Sequence, residues 1–235
     1  GGFENYYFIP SAAGEIPLAK GWKITTQSPD YFHTQAPTGD VNIPNTFAGP
    51  ISGAHEGQAC VGIGMFMKGV KNFREYFHRK LVSLLIIGET YMVKLWVYNG
   101  QIPTYYGGLS SDNFGISFSV KKLKKSADNV IHFVPQCVDT TQLVALNWKE
   151  LSFEFVADSA YEFMTVGCFV DDSVQQRQFM NTAILFEYVY LFIDEISVEK
   201  KAVTTEIPEL IFTENSGPIT YLDILGRPVF NNPHG

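Results

Sequence analysis

Hydrophobic and polar residues alternate strictly along several short stretches of this chain. In residues 91–98 the odd positions from 93 to 97 are aliphatic, and the even positions from 94 to 98 are Lys94, Trp96 and Tyr98. A period of two is typical of a β-strand with one buried face. The same alternation recurs over residues 114–120 and 148–156, and no segment shows sustained helical periodicity. The pattern predicts an all-β fold, an antiparallel two-sheet β-sandwich of jelly-roll type.

The stretch from residue 72 to residue 98 combines several local signals. Residues 72–80 are charged and aromatic, and we expect a short helical or looped lead-in there. The apolar run 84–87 predicts a strand, and Gly88-Glu89-Thr90 predicts the turn into the alternating strand. Upstream, residues 28–57 are rich in proline, glycine and asparagine. A loop of that length is usually functional or wraps the fold.

Composition supports strands and narrows the range of partners. The chain has 235 residues, with 19 Phe, 12 Tyr and 3 Trp, which suits one large β domain. Its net charge of −7 argues against nucleic acid as a partner. The basic cluster at 121–125 is expected to be a solvated connection rather than a binding patch. No apolar run reaches the roughly 18 residues of a membrane span.

Cysteine usage and motif content argue against catalysis and against a metal cluster. Cys60, Cys137 and Cys168 are widely spaced without a CxxC, which favours buried small hydrophobes and leaves one disulfide pair open. The sequence lacks GxSxG, HExxH and a phosphate-cradling glycine loop. We therefore expect a protein that is not an enzyme. Arg74 and Glu75 are adjacent, and an internal ion pair is expected there before a ligand contact.

An ordered set of short motifs resembles a known family. The motifs are GGFEN at the start, GW at 21–22, PDYF at 29–32, PNTFAG at 44–49, GQACVGIGMF, NFREYF, GETYMVKLWV and IDEISV. Over residues 1–200 they resemble the extracellular jelly-roll domain of surface proteins of gliding bacteria, which precedes type IX secretion sorting domains. The resemblance implies a galactose-binding-like sandwich shared with carbohydrate-binding modules. It also implies an extracellular or outer-surface location.

The C-terminal residues add a second resemblance. After a linker at 201–216, residues 217–235 resemble the start of a type IX sorting domain, with a hydrophobic strand, Asp223, Gly226-Arg227 and a further strand. The chain stops short of a complete sorting domain. A generic β-hairpin is the alternative. If the resemblance holds, the type IX secretion machinery is a partner through this segment.

The resemblance also implies a structural Ca²⁺ held by Glu4 and Asp194. In related carbohydrate-binding jelly rolls, an acidic residue of the opening strand and one of the closing strand share the ion with backbone carbonyls. Calcium prefers six to eight hard oxygen ligands and tolerates irregular geometry. The alternative is that both are surface or capping carboxylates.

Aromatic residues suggest where a ligand would bind. If the aliphatic face of residues 91–98 is in the core, Trp96 and Tyr98 point out of the sandwich beside Lys94, and Tyr105 and Tyr106 follow in the next loop. Exposed aromatics of this kind could stack on sugar rings of a polysaccharide or other cell-surface ligand. If the 28–57 loop covers them, they are core residues instead. The predicted function is a non-catalytic carbohydrate-binding or adhesive surface module. The alternative is a structural or partner-docking subunit of the secretion or gliding apparatus.

Overall fold

The computed structural model describes residues 2–37, 39–100, 107–180, 186–202, 221–222 and 225–229. The chain divides into two compact units, Gly1–Lys201 and Ala202–Gly235. In the second unit the described part is a short antiparallel pair, Tyr221–Leu222 with Pro228–Val229. The predicted linker beyond residue 202 and most of the predicted sorting segment at 217–235 lie outside the described residues. Both stay predictions.

Short strands make up nearly all the regular structure of the first unit. The helical element within the described ranges is a single 3-10 turn at Ile16–Leu18. The strands, in chain order, are β1 (Trp22–Thr26), β2 (Asp30–His33), β3 (Asn45–Thr46), β4 (Gly49–Pro50), β5 (Ala59–Met67), β6 (Tyr76–Lys80), β7 (Thr90–Asn99), β8 (Gly108–Ser111), β9 (Phe114–Ser119), β10 (Cys137–Asp139), β11 (Lys149–Val156), β12 (Phe163–Cys168), β13 (Arg177–Phe179) and β14 (Tyr188–Lys200), followed by β15 (Tyr221–Leu222) and β16 (Pro228–Val229) in the second unit.

Two sheets form the sandwich. The five-stranded sheet has the order β1-β6-β12-β9-β10, and the seven-stranded sheet has the order β11-β7-β14-β5-β2, with β8 beside β14 and β13 beside β8. Among the described strands every pair is antiparallel except β8 with β14. The prediction of an all-β antiparallel two-sheet sandwich is confirmed. No helix in the described ranges is long and apolar enough to cross a membrane.

The main core lies between the two sheets. From β7 it receives Val93, Leu95 and Val97, each fully buried, as the alternation of residues 91–98 predicts. Ile116 and Phe118 of β9 face them from the five-stranded sheet as part of the same cluster. Because side chains alternate across a strand, every core residue of these strands has a neighbour on the outer face of its sheet.

The strand prediction for residues 84–87 is wrong, and the helix-or-loop prediction for the lead-in holds for residues 72–75 but is wrong for 76–80. Residues Tyr76–Lys80 form β6, and residues 81–89 form an irregular loop. Backbone N–H groups of Leu81 and Leu85 donate to carbonyls at positions 162 and 161 rather than to a sheet ladder. Leu85 alone among the loop's large aliphatic residues is buried, while Val82 is 97% exposed.

Irregular segments cover the outer faces of both sheets. Residues 34–57, which we call the cover segment, contribute Val41, Ile43 and Ile51 to a second hydrophobic cluster on the seven-stranded sheet. The loop prediction for residues 28–57 is wrong for Asp30–His33, which form β2, while the described residues of 34–57 wrap the fold. Residues 120–135, which we call the strap, pack Leu123 and Phe133 against a third cluster on the five-stranded sheet.

The three cysteines are buried and free. Cys60 lies in the second cluster, and Cys137 and Cys168 lie in the main core. Burial raises the pKa of each thiol, most strongly for Cys60. The prediction that they act as small buried hydrophobes is confirmed, and the disulfide alternative is not.

Candidate functional site

A cavity of about 380 Å³ opens on the outer face of the seven-stranded sheet, at the edge of the cover segment. Its mouth is formed by exposed residues, Ala13, Ser28 and Asp40. Its floor and walls combine two carboxylates with aromatic and thioether side chains: Asp30, Phe47, Met67, Phe73, Glu75, Tyr188 and Tyr190. Cavities that bind small ligands characteristically pair apolar walls with a few fixed polar groups.

Two glycines of β5 make room for the aromatic walls. A Cβ at Gly62 would overlap the hydroxyl of Tyr190, and a Cβ at Gly64 would overlap the hydroxyl of Tyr188. The rings of these two β14 tyrosines therefore lie across the bare backbone of β5. The alternating Gly-x-Gly in the sequence of β5 puts both glycines on the outer face. The backbone of β5 thus forms a flat floor under the tyrosine rings.

Asp30 is held at the floor by two hydrogen bonds. Tyr190 Oη donates to Asp30 Oδ2 at 2.5 Å, and the backbone N–H of Gly14 donates to Asp30 Oδ1 at 2.7 Å. The side chain is almost fully buried. Burial raises the pKa of Asp30 to about 8, and the nearby Glu75 adds to the rise.

Glu75 is held in a similar way. Oε2 accepts from the backbone N–H of Gly64 at 2.7 Å, and Oε1 accepts from both the N–H and the hydroxyl of Ser28. Burial raises the pKa of Glu75 to about 7. The two carboxylates titrate as a pair, so at neutral pH the pair retains a proton.

The expected ion pair between Arg74 and Glu75 is wrong. The Arg74 side chain points to the other side of the segment, where it donates to Asp172 Oδ1 at 2.9 Å and to the carbonyl of Val170. The two side chains have separate sets of partners, so their charges do not pair. Among the described residues, no lysine, arginine or histidine forms an ion pair with Glu75 or Asp30.

This arrangement suits a neutral, polyhydroxylated ligand. The protonated carboxyl donates a hydrogen bond, and the remaining carboxylate oxygens accept hydrogen bonds. The aromatic rings offer apolar faces against which C–H groups pack. No described cation is available to neutralise an anionic ligand inside the cavity.

Three of the residues predicted to bind ligand, Lys94, Trp96 and Tyr98, lie on the same outer face, and two of these three are covered. Tyr98 is 7% exposed and belongs to the second cluster, so its predicted exposure is wrong. Trp96 is half-buried because the His55 ring of the cover segment stacks on it, with ring centroids 3.9 Å apart. Lys94 is exposed and pairs with Glu150. Tyr105 and Tyr106 lie outside the described residues.

Sequence reasoning missed the cavity because its residues come from five separated segments. Asp30 and Glu75 stand 45 positions apart, in the PDYF and NFREYF motifs. A usable signal was the Gly62-x-Gly64 pair in β5, because glycine inside a strand indicates a close approach of other groups. The partner of that approach, β14, could not be named from the sequence.

The structure brings Glu4 and Asp194 together around residues 55–59. Glu4 accepts from the backbone N–H groups of Gln58 and Ala59, at 3.1 and 3.0 Å. Asp194 Oδ2 accepts from the backbone N–H of His55 at 3.0 Å. Gly2 lies against the side chains of Glu4, Asp194 and Glu195. Glu195 has a positive φ and lies in a β-bulge of β14.

Glu4 and Asp194 would be the side-chain ligands of the Ca²⁺ that the motif resemblance implies. Asp194 is fully buried, and burial raises its pKa to about 7. Its described partners are neutral backbone amides, and no described cation pairs with Glu4 or Asp194. Each carboxylate keeps unused lone pairs. No group of three His, Cys, Asp or Glu side chains in the described ranges has metal-site geometry, so backbone carbonyls would complete the ligand set.

Comparisons with known proteins found no matching family model and no matching curated protein. Solved structures with similarity include the xylan-binding CBM22-1 domain of a Paenibacillus barcinonensis xylanase, at 11% identity and TM-score 0.42, covering 84% of this chain and 97% of that one. A cleaved adhesin domain of Lys-gingipain from Porphyromonas gingivalis gives 10% identity and TM-score 0.43, covering 82% and 98%. A CBM22-1–GH10 xylanase fragment from Clostridium thermocellum has 12% identity and a TM-score of 0.42. The match covers 78% of this chain and 27% of that fragment.

Proposed function

We propose that the chain is a non-catalytic carbohydrate-binding or adhesive module, and that its ligand binds in the cavity above Asp30 and Glu75. The observation that carries this proposal is the combination of two rigidly held carboxylates with aromatic walls in one 380 Å³ space. A cavity of that size accommodates one or two sugar residues, at the lower end of the range for small-molecule sites.

The chemistry of the cavity matches a sugar better than other ligand classes. Sugar hydroxyls both donate and accept, and the half-protonated carboxyl pair does the same. The C–H faces of a pyranose ring pack against Tyr188, Phe47 or Phe73. A nucleotide or other strongly anionic ligand would meet the negative charge of the pair without a described cation to offset it.

A glycan array followed by calorimetry on the best ligand tests the proposal. Asp30→Asn keeps the volume and both hydrogen bonds, because the amide oxygen accepts from Gly14 and the amide nitrogen donates to Tyr190. It removes the charge and the exchangeable proton of the pair. Affinity should fall about ten- to a hundredfold, because hydrogen bonds to charged groups contribute about 1.5–3 kcal/mol. Glu199→Gln, which changes an exposed carboxylate on β14, is the matched control and should bind like the wild type.

A partner-docking subunit is the second candidate function. Loop 81–89 favours it, because four large aliphatic residues there are more than half exposed: Val82, Leu84, Ile86 and Ile87. Contiguous exposed apolar surface of this kind marks interaction sites. If docking is the function, Val82→Ser with Ile87→Ser should abolish partner capture and leave glycan binding unchanged.

The cellular context of the proposed module comes from the sequence motifs. We propose an extracellular or outer-surface location with export by type IX secretion, together with a structural Ca²⁺ at Glu4 and Asp194. Detection of the protein on intact cells, and its loss from the surface when the secretion system is disabled, would test the location and the route.

A further inference from the structure

The outer face of the five-stranded sheet carries a polar row that the proposed function does not use. Strand register places Lys23 of β1 opposite His78 of β6, His78 opposite Thr165 of β12, and Thr165 opposite Ser117 of β9. With neighbouring strands about 4.8 Å apart, the row is about 14 Å long. Ser119 lies two residues after Ser117 on the same face.

Four polar atoms on this face are buried without a hydrogen-bond partner. His78 Nε2, Thr165 Oγ1, Ser117 Oγ and Ser119 Oγ have no partner among the described residues, and each residue is at least nine-tenths buried. Buried polar groups are nearly always paired, and an unpaired one destabilises the fold. Four unpaired groups on one face therefore need an explanation other than packing.

The strap packs on this face, with Lys122 near enough to act on His78. Leu123 and Phe133 pack against the cluster of Tyr76, Ile131 and Phe169, and the Ile131 N–H donates to Tyr76 Oη at 3.3 Å. The described backbone hydrogen bonds within the strap are local ones, such as Ser126 N–H to the carbonyl of Val130. No strand ladder ties residues 121–129 to the sheet below, so few interactions oppose lifting of this part of the strap.

The strap is also the basic region of an acidic chain. Lys121, Lys122, Lys124 and Lys125 are all exposed, while the whole chain has a net charge of −7. Asp128, the acidic residue of the strap, pairs with His132. Burial favours the neutral form of His78, and the positive charges of Lys122 and Lys23 favour it further. Together they lower the pKa of His78 to about 4. The polar row therefore lies in a positive field and presents an uncharged imidazole.

We propose that the polar row is a second ligand site, which binds the carboxylate or sulfate groups of an acidic glycan when residues 121–129 lift from the sheet. Nδ1 of His78 lies 2.7 Å from the Thr25 hydroxyl. If that hydroxyl donates to Nδ1, the imidazole hydrogen is on Nε2 and points to the ligand. The hydroxyls of Thr165 and Ser117 add two more donors, and the lysines of the strap neutralise the bound charge. The site is separate from the cavity on the opposite sheet.

Binding of three polymers to conservative variants tests this site. Polygalacturonate supplies carboxylates, dextran sulfate supplies sulfates, and dextran is the uncharged control for this face. The double variant Thr165→Val with Ser117→Ala removes two unpaired hydroxyls, so its melting temperature should equal or exceed that of the wild type. Its affinity for the polyanion that binds should fall about tenfold or more, which is at least 1.4 kcal/mol. The polyanion that binds identifies the anionic group.

Two further measurements distinguish binding at the polar row from nonspecific attraction to surface lysines and from binding in the cavity. The imidazole signals of His78 in the wild type should shift in ¹⁵N NMR spectra as the polyanion is added. Asp30→Asn should leave polyanion binding unchanged, which keeps the outcome independent of the proposed function. The proposal is overturned if neither polyanion binds, if the double variant binds as tightly as the wild type, or if the His78 signals do not move.

Discussion

The hydroxyl of Tyr190 donates to Asp30 Oδ2 at 2.5 Å, across the full width of the strand that lies between them. Tyr190 belongs to β14 and Asp30 to β2, and β5 separates these strands in the sheet. The bridge exists because Gly62 of β5 has no side chain in its path. It fixes one carboxylate of the cavity and one aromatic wall relative to each other.

Tyr190→Phe should therefore cost about 1–3 kcal/mol of unfolding free energy, because it removes a hydrogen bond from a buried carboxyl. Urea unfolding measures the change. Tyr7→Phe removes the hydroxyl of a tyrosine that is 57% exposed, and it should have no measurable effect. Equal stability of the two variants would show that the bridge contributes nothing.

The carboxyl pair should make the protein less stable as pH rises through neutrality. Asp30 and Glu75 have folded pKa values of about 8 and about 7, above their ordinary values of 3.8 and 4.5. Between those limits the folded state binds more protons than the unfolded state, so the free energy of unfolding falls with rising pH. The loss should be clearest from about pH 6.5 to 8.5, above the range in which histidines with lowered pKa act in the opposite direction.

Asp30→Asn supplies the comparison for this pH dependence. The amide does not titrate, so the contribution of Asp30 to the pH dependence is removed. The slope of unfolding free energy against pH should therefore flatten in the variant. Parallel curves for the two proteins would mean that Asp30 titrates near its ordinary pKa when folded, and the account of a buried pair would be wrong.

Trp96 and Tyr98 should respond differently to truncation. Tyr98→Ala removes a fully packed ring of the second cluster and should destabilise the protein by about 3–5 kcal/mol. Trp96→Ala removes a half-buried ring stacked on His55, and about 1–3 kcal/mol is expected from lost stacking and partial burial. Thermal or urea unfolding measures both. A loss within about 0.5 kcal/mol for Trp96→Ala would show that the ring is effectively a surface residue.

The fold class was predictable because alternation reports on local burial. Val93, Leu95 and Val97 read as a buried face from the sequence, and they are one. The strand predicted at 84–87 is instead part of loop 81–89, whose aliphatic residues are largely exposed. Hydrophobicity alone does not distinguish a strand from an apolar loop. The predicted exposure of Tyr98 was wrong because another segment covers the outer face of the sheet. A side chain that points out of the sandwich is then buried as well.

The candidate site was less predictable than the fold. Glu75 follows Arg74 directly, so a sequence argument pairs them, whereas in the structure Arg74 pairs with Asp172 and Glu75 accepts from Ser28 and Gly64. The cavity depends on which strands lie beside β5, and strand order is a long-range property that local patterns do not contain. Glu4 and Asp194 both accept hydrogen bonds from the backbone of residues 55–59, and it was the motif resemblance, not their spacing, that drew attention to these two residues.

Calcium at Glu4 and Asp194 should be detectable as a gain in stability. An ion that binds only the folded state raises the melting temperature by mass action, so chelator should lower it and added Ca²⁺ should restore it. Asp194→Asn with Glu4→Gln removes both charges, and the melting temperature of that variant should not respond to either treatment. A wild-type protein indifferent to chelator and to added Ca²⁺ would remove the ion from the account.

The most direct test of the proposed function is a crystal structure of the chain with the oligosaccharide that binds best in the array. We predict a sugar ring in the cavity, with its hydroxyls on the Asp30 and Glu75 carboxyl groups and its apolar face on the aromatic walls. An oligosaccharide bound elsewhere on the protein while the cavity contains only solvent would contradict the account.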